Sequence, residues 1–289
     1  MSEPFGPELT SIRSPKVKAA RQLAKRALRL RARSFLAEGP QAVGEALASG
    51  GIVSQLFITA AARARHSELA DQAARQGAHV QAVSGEVMAG LAQTITPQGV
   101  LAVCRYVDIP LARLAAAAPR LVAILANVRD PGNAGTVLRT ADAAGADGVI
   151  FSDASVDPYN SKCVRATAGS IFHLPLVADA PVAEVVNAMR AAGLRIVAAD
   201  GRAGRSLDEA LPGGLGEPGG PLDHPTAWLF GNEAWGLPAD VLALADDVVA
   251  VPIYGKAESL NLAAAAAVCL YASARASRES RAPSDRVQR

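Results

Sequence analysis

The chain has 289 residues, half of them apolar, and its 29 lysines and arginines nearly balance 27 aspartates and glutamates, leaving a net charge of +2. That length suits two domains with separate cores. No apolar run reaches the ~20 residues that span a bilayer. The opening MSEPFGPELTSIRSPK places acids and prolines where a secretory leader needs an apolar stretch, so a cytoplasmic location without membrane attachment is expected.

Residues 13–33 carry Arg13, Lys16, Lys18, Arg21, Lys25, Arg26, Arg29, Arg31 and Arg33 with no acid among them. Such a block attracts polyanions through counterion release. A solvated tail has the same composition, and both readings stand at this point. Ser14 as N-cap and Pro15 in the first turn predict one basic helix over 14–33, set apart as an N-terminal extension of residues 1–33. Next come a helix at 40–49, a strand at 52–58, a helix at 60–76, a strand at 79–83, a helix at 85–91 and a strand at 98–107. This order describes a small α/β sandwich over residues 34–107.

Residues 108–119 read as a boundary. Beyond them, strands are expected at 121–126, 148–152, 172–177, 194–199, 226–231 and 247–252. Helices fall near 133–145, 158–168, 180–192, 237–244 and 260–278. Apolar strands alternating with helices imply a mainly parallel sheet covered on both faces, here over residues 118–277. PGGLGEPGGP (212–221) reads as a loop, and residues 278–289 as a disordered tail.

Three segments at expected carboxyl ends of strands have the composition of a site, and open α/β sheets bind ligands there. In LANVRDPGNAGTVLRTADAAGADGVIF (125–151), a strand runs through a Gly/Pro turn into a helix near Asn133 that carries Arg139. Its GNAG lacks the GxGxxG spacing of dinucleotide sites, which speaks against an oxidoreductase. WLFGNEAWGLP (228–238) places Glu233 before a helix, where a carboxylate is also an ordinary dipole partner. VPIYGKAESLNLAAAAAVCLYASAR (251–275) brings Ser259, an N-cap candidate, and Asn261 to the start of an alanine-rich helix. Cys104, Cys163 and Cys269 are dispersed and the histidines lack ligand spacing, so buried free thiols and no metal are expected.

The order and wording of these three segments resemble the SpoU (TrmH-like) family of RNA 2′-O-ribose methyltransferases in the SPOUT superfamily. FLAEGPQAVGEAL (35–47) and TPQGVLAV (96–103) are similar to that family's small RNA-binding domain. The resemblance spans residues 33–275; the basic first helix and the 212–221 insert are unmatched. It implies a Rossmann-like parallel sheet with a deep trefoil knot, S-adenosylmethionine (SAM) as cofactor, and a homodimer. It implies catalytic roles for Asn133, Arg139, Glu233, Ser259 and Asn261, and SAM contacts at Gly231, Val251, Ile253 and Leu260. Arg165 matches a recurrent family arginine, and Lys162 lies one helical turn before it; both are assigned to RNA phosphates. Ribosomal RNA of the large subunit is the expected substrate, with tRNA or a non-catalytic assembly factor as alternatives.

Overall fold

The computed structural model describes residues 6–211 and 221–279. Apart from Pro221, the expected loop at 212–221 lies outside the described residues, as does the tail from 280 onward. In chain order the first elements are β1 (Gly6–Leu9), α1 (Pro15–Gln22), α2 (Arg26–Ala32), β2 (Ser34–Glu38), α3 (Pro40–Ala48), β3 (Val53–Ile58), α4 (Ala60–Arg65), α5 (Ser67–Arg75), β4 (His79–Val83), α6 (Gly85–Leu91) and β5 (Val100–Arg105). They continue with α7 (Leu111–Ala116), β6 (Leu121–Leu125), α8 (Pro131–Ala144), β7 (Gly148–Ser152), α9 (Ser161–Ala166), β8 (Leu176–Ala180), α10 (Val182–Ala191) and β9 (Arg195–Ala199). The last are β10 (Arg205–Ser206), α11 (Leu207–Ala210), β11 (Thr226–Phe230), α12 (Ala239–Leu242), β12 (Asp247–Ala250) and α13 (Leu262–Glu279).

The chain divides into two compact units. The first comprises residues up to Val107 together with Asp157–His173. Its sheet runs β1-β4-β3-β5-β2, with β5 antiparallel to both neighbours and the remaining pairs parallel. The basic segment forms part of this unit. Val17 and Ala20, three residues apart on one face of α1, bury with Leu23 against Phe57, Val87, Met88 and Leu101. The expected single helix over 14–33 is two helices, because Arg29 intervenes. Its Nη1 donates to the Leu23 and Ala24 carbonyls (both 2.8 Å), which a continuous helix would need for its own ladder. The helix expected over 60–76 likewise breaks at His66, whose φ of −136° is not helical.

Arg29 also anchors the segment 157–173. Its Nε and Nη2 donate to Asp157 Oδ2 at 3.1 and 2.6 Å, and both residues are buried. The Tyr159 ring stacks on Tyr106 with centroids 3.7 Å apart and packs against Phe35. Gly169 sits at φ +104°, and a Cβ there would lie 2.5 Å from Glu45 Cγ. These attachments explain why the strand expected at 172–177 is displaced. Residues 170–172 form a 3-10 turn in the first unit, Pro175 lacks an N–H, and β8 begins only at Leu176.

The second unit comprises Asp108–Val156 and Leu174 onward. Its seven strands run β10-β12-β9-β11-β6-β7-β8, and every pair is parallel. The chain builds outward from β6 through β7 to β8, then crosses to β9 on the other side, so the order reverses beside β6. On one face, α7, α10 and α12 cover Val122, Ile124, Ile196, Ala198, Ala227 and Leu229. On the other, α8 and α13 pack together, and the fully buried Trp228 donates its Nε1–H to Ser273 Oγ at 2.8 Å. Cys104, Cys163 and Cys269 are buried and form no disulfide. Burial pushes the Cys104 and Cys269 thiols up to about 12, so neither supplies a thiolate. Among the described residues no helix is long and apolar enough to cross a membrane, and no His/Cys/Asp/Glu cluster could hold a metal ion.

Removing one partner of a buried ion pair strands the other charge. Arg29→Ala is therefore expected to lower stability by about 3–5 kcal/mol, measured as a shift in the urea midpoint. A change under 1 kcal/mol would contradict the role given to this pair.

Candidate active site

Four neighbouring strands of the second unit, β6, β11, β9 and β12, end at one edge of its sheet, at the place where strand order reverses. The segments 126–130, 231–237, 200–204 and 251–261 leave from those ends. The β6 end is held in an unusual conformation. Asn127 has φ +62°, a left-handed geometry that asparagine tolerates better than most residues, and its N–H donates to Ser152 Oγ at 3.3 Å. Its carbonyl accepts from Asn232 Nδ2 at 3.0 Å, tying the β6 turn to the β11 turn. Asn232 in turn exchanges two backbone hydrogen bonds with Gly236, closing the 231–237 turn into a tight loop.

Within that loop Gly231 admits no side chain. A Cβ there would fall 2.5 Å from the Gly236 carbonyl carbon and 2.6 Å from the Leu237 nitrogen, both backbone atoms. Gly236 occupies φ +75°, which suits glycine.

The helix α8 begins two residues before the expected Asn133. Asp130 is its N-cap, accepting from the Asn133 N–H at 2.8 Å, and Pro131 fills the first turn. Glu233 comes to this same helix start rather than to the helix that follows it in sequence. Its carboxylate accepts from the Asp130 N–H (3.3 Å), Asn133 Nδ2 (3.1 Å) and, at the 3.5 Å limit, the Arg129 N–H. A carboxylate is favoured there by the helix dipole and the unpaired amides of the first turn. The Asn133 amide then passes the connection on: its Oδ1 accepts from Asn261 Nδ2 at 3.1 Å. Asn261 Oδ1 accepts from the Ala263 N–H at 2.9 Å and caps α13. This corrects the reading of Ser259 as the cap. Ser259 lies two residues upstream of the cap, exposed in the 251–261 segment. Asn133, Glu233 and Asn261, about 30 to 130 residues apart in sequence, thus form one hydrogen-bonded chain.

Beside this chain lies a cavity of about 400 Å³, within the range of small-molecule sites. Gly231, Val251, Ile253 and Leu260 all line it, as do Glu233 and Ser259. Its walls combine apolar residues such as Phe230, Val249 and Leu262 with residues of the 231–236 and 251–260 segments. The exposed ring of Trp235 stands at the same cavity.

Arg139 is placed differently. It is the ninth residue of α8, exposed, not part of the cavity wall, and without a side-chain hydrogen bond or ion pair among the described residues. Lys162 and Arg165 belong to the first unit, on α9. Lys162 is exposed, and Arg165, half-buried, has its Nη1 3.8 Å from Glu38 Oε2. Glu38 also accepts from the Gln93 N–H and from the Thr94 hydroxyl.

Four residues of the site received no role from sequence: Asn127, Asn232, Asp200 and Arg202. Each lies within three residues of the end of an apolar strand, and that position is the only signal available. Asp200 accepts from the Arg202 N–H (2.8 Å), Nε (3.0 Å) and Nη2 (2.7 Å), and both residues line the cavity. The Arg202 side-chain hydrogen bonds hold the Asp200 carboxyl below the usual carboxylate range, with burial opposing them.

Comparison with known proteins agrees with this arrangement. Residues 120–271 match the model of the SpoU rRNA methylase family, and residues 14–102 that of the MRM3-like substrate binding domain. The 23S rRNA (guanosine(2553)-2'-O)-methyltransferase RlmP of Bacillus subtilis is 35% identical over 264 residues, covering 91% of this chain and 98% of the relative. The 23S rRNA (guanosine-2'-O-)-methyltransferase RlmB of Bordetella pertussis is 30% identical, covering 77% and 89%. The crystal structure of an AdoMet-bound rRNA methyltransferase from Sinorhizobium meliloti superposes with a TM-score of 0.81 at 32% identity, covering 94% of this chain and 98% of that one. The SpoU methyltransferase AviRb from Streptomyces viridochromogenes, in complex with AdoMet, gives 0.78 at 30% identity, covering 93% and 99%.

Two outcomes follow from the geometry. Gly231→Ala is expected to cost on the order of 1–3 kcal/mol, the usual cost of overpacking, read from denaturant midpoints; a neutral result would mean that the 231–237 turn yields freely. The lowered Asp200 carboxyl stabilises the fold above its unfolded titration near pH ~4, and that contribution is lost as pH falls through the folded value. Asp200→Asn should therefore flatten the acid limb of the stability–pH curve while changing its slope little near pH 7. An unaltered acid limb would exclude this contribution.

Proposed function

The chain belongs to the SpoU rRNA methylase family, and we propose that it is an SAM-dependent methyltransferase acting on a ribose 2′-hydroxyl of ribosomal RNA, with 23S rRNA as the substrate. The observation that carries this reading is the meeting of three loops beside one cavity, two of which line it. The turns after β6 and β11 and the segment after β12 meet through Glu233, Asn133 and Asn261, with Gly231, Val251, Ile253 and Leu260 on the cavity wall. The 23S rRNA relatives and the AdoMet-bound structures support the substrate and cofactor.

The cavity suits SAM by its chemistry. Apolar side chains at Val251, Ile253 and Leu260 would wall an adenine, while backbone N–H and C=O groups beside them would make the hydrogen bonds. Gly231 lets the backbone of its loop approach closely enough to form that edge. When bound, SAM supplies a methyl group carried on a sulfonium and open to in-line attack. The protein then has two tasks: to dispose of the hydroxyl proton and to hold the reacting oxygen in line.

Arg139 is assigned the charge. A guanidinium is donor-only and remains cationic near neutrality, so its natural use is to grip a phosphate with its fork and to stabilise a developing alkoxide. Glu233 acts as a positioning residue for Asn133, and through it for Asn261. Asn133, Ser259 and Asn261 hold the ribose and the loop. Arg165 and Lys162 are assigned to RNA phosphates. The reading includes a homodimer built on α13, which exposes Val268 and Tyr271, and the trefoil knot implied by the family resemblance. It also includes a cytoplasmic location, RNA binding by the unit that holds residues 34–107 and methyl transfer by the unit that holds most of residues 118–277.

The test uses purified protein, methyl-labelled SAM and 23S rRNA. Label is expected in alkali-resistant dinucleotides, the signature of a blocked 2′-hydroxyl. Label in a base, or none in RNA, would contradict the reading. Arg139→Ala should lower kcat by about 10²–10³, as loss of a transition-state donor does. Arg139→Lys should recover part of the rate with an unchanged pH profile. A profile that bends at the lysine's own titration would instead assign proton removal to this position.

A further inference from the structure

Nine of the chain's 29 basic residues lie between Arg13 and Arg33, with no acid from Leu9 to Ala37. The remainder of the chain therefore holds 20 basic residues against 27 acidic ones and is net acidic. The attraction of this protein for a polyanion is concentrated in one stretch, which the structure makes rigid. Val17, Ala20 and Leu23 fasten α1 into the core of the first unit. Arg29 is the buried cation of the stretch, neutralised by Asp157, while Lys16 bonds His79 and Gln81 and Arg33 lies over the Tyr106 ring. The other eight cations, Arg13, Lys16, Lys18, Arg21, Lys25, Arg26, Arg31 and Arg33, are exposed.

We propose that the outer face of the α1–α2 pair is a docking surface for the phosphate backbone of the substrate RNA. The inference rests on the methyltransferase reading and assigns the surface that supplies much of the substrate affinity. Charge complementarity selects the occupant. Five of these cations lie on the two helices (Lys16, Lys18, Arg21, Arg26 and Arg31) and three flank them, with no acid in the stretch, which matches an array of phosphates. Val17 and Ala20 of α1 are buried, and the exposed apolar side chains Ile12 and Leu30 are separated in sequence by cations. The helices also fall largely within residues 14–102, which match a substrate-binding domain. A solvated tail, the other reading of this composition, would not bury Val17 completely.

The experiment uses the full chain and transcribed 23S rRNA. Lys18→Gln, Arg21→Gln and Arg31→Gln are combined in one variant, and Arg13→Gln with Lys25→Gln in a second. Filter binding is measured across a series of KCl concentrations. Each lost phosphate contact removes about one from the slope of log Kd against log salt. The triple variant should lose about two to three from that slope, and its Kd should rise about tenfold or more at low salt. The double variant should shift in the same direction by less. Melting temperature, SAM affinity and kcat should stay at wild-type values while KM for RNA rises. Wild-type slope and Kd in both variants would overturn the proposal, as would loss of binding to anionic vesicles with RNA binding unchanged. Absence of salt-dependent RNA binding by the wild-type protein would count against the methyltransferase reading itself, and the docking surface would fall with it.

Discussion

The candidate site depends on the carboxylate of Glu233. A parallel sheet delivers the ends of β6, β11, β9 and β12 to one edge, but it does not join the loops that leave them. Glu233 does so by accepting from the α8 turn, and Asn133 extends the connection to the cap of α13. Each asparagine amide in this chain uses both its ends, donor and acceptor, so its orientation is determined by its neighbours. Three segments, two of which line the cavity, are therefore linked, although each bond is a short-range polar contact in a partly exposed place. Such bonds contribute modestly to stability one by one, about 0.5–1.5 kcal/mol. Their value is geometric. They keep the cavity wall and the exposed Arg139 on elements whose relative placement is fixed, as positioning of reacting groups demands.

The first unit is held by a different kind of interaction. Arg29 satisfies two carbonyls that a continuous helix would have used and a buried carboxylate from a segment more than a hundred residues away. That pair, the Tyr159–Tyr106 stack and the close approach at Gly169 attach residues 157–173 to the N-terminal unit. The consequence is a division of labour that chain order conceals. Lys162 and Arg165, which lie between two strands of the second unit in sequence, are carried by the first.

Much of the second unit was legible in the sequence, because apolar strands and glycine-marked turns are local signals. The strands 148–152 and 226–230 and the long helix after Asn261 could be read directly. What could not be read was decided by contacts distant in sequence. Arg29 looks like one more cation in a basic run, and nothing local indicates that it breaks the helix. Ser259 is an acceptable cap by type, and Asn261 takes the position because the Asn133 amide fixes it there. The strand at 172–177 fails for a similar reason: its first residues are committed to another unit. The β1 and β2 strands gave no clear alternation and were missed, and the Asp200–Arg202 pair was missed because a strand followed by D-G-R is a common turn. The co-occurrence of N-x-G-x-x-x-R, GNE and S-L-N-L indicated the family, whereas each of these motifs alone was ordinary.

The site and the basic face describe two tasks of one protein, methyl transfer at the sheet edge of the second unit and capture of phosphates on the first. The claim common to both is that this chain marks a ribose in ribosomal RNA. Mapping 2′-O-methyl positions across 23S rRNA, from cells lacking the gene and from the same cells with it restored, tests that claim directly. The account predicts that one 2′-O-methyl position disappears with the gene and returns with it. Identical 2′-O-methyl maps in the two strains, or a change confined to base methylation, would contradict it.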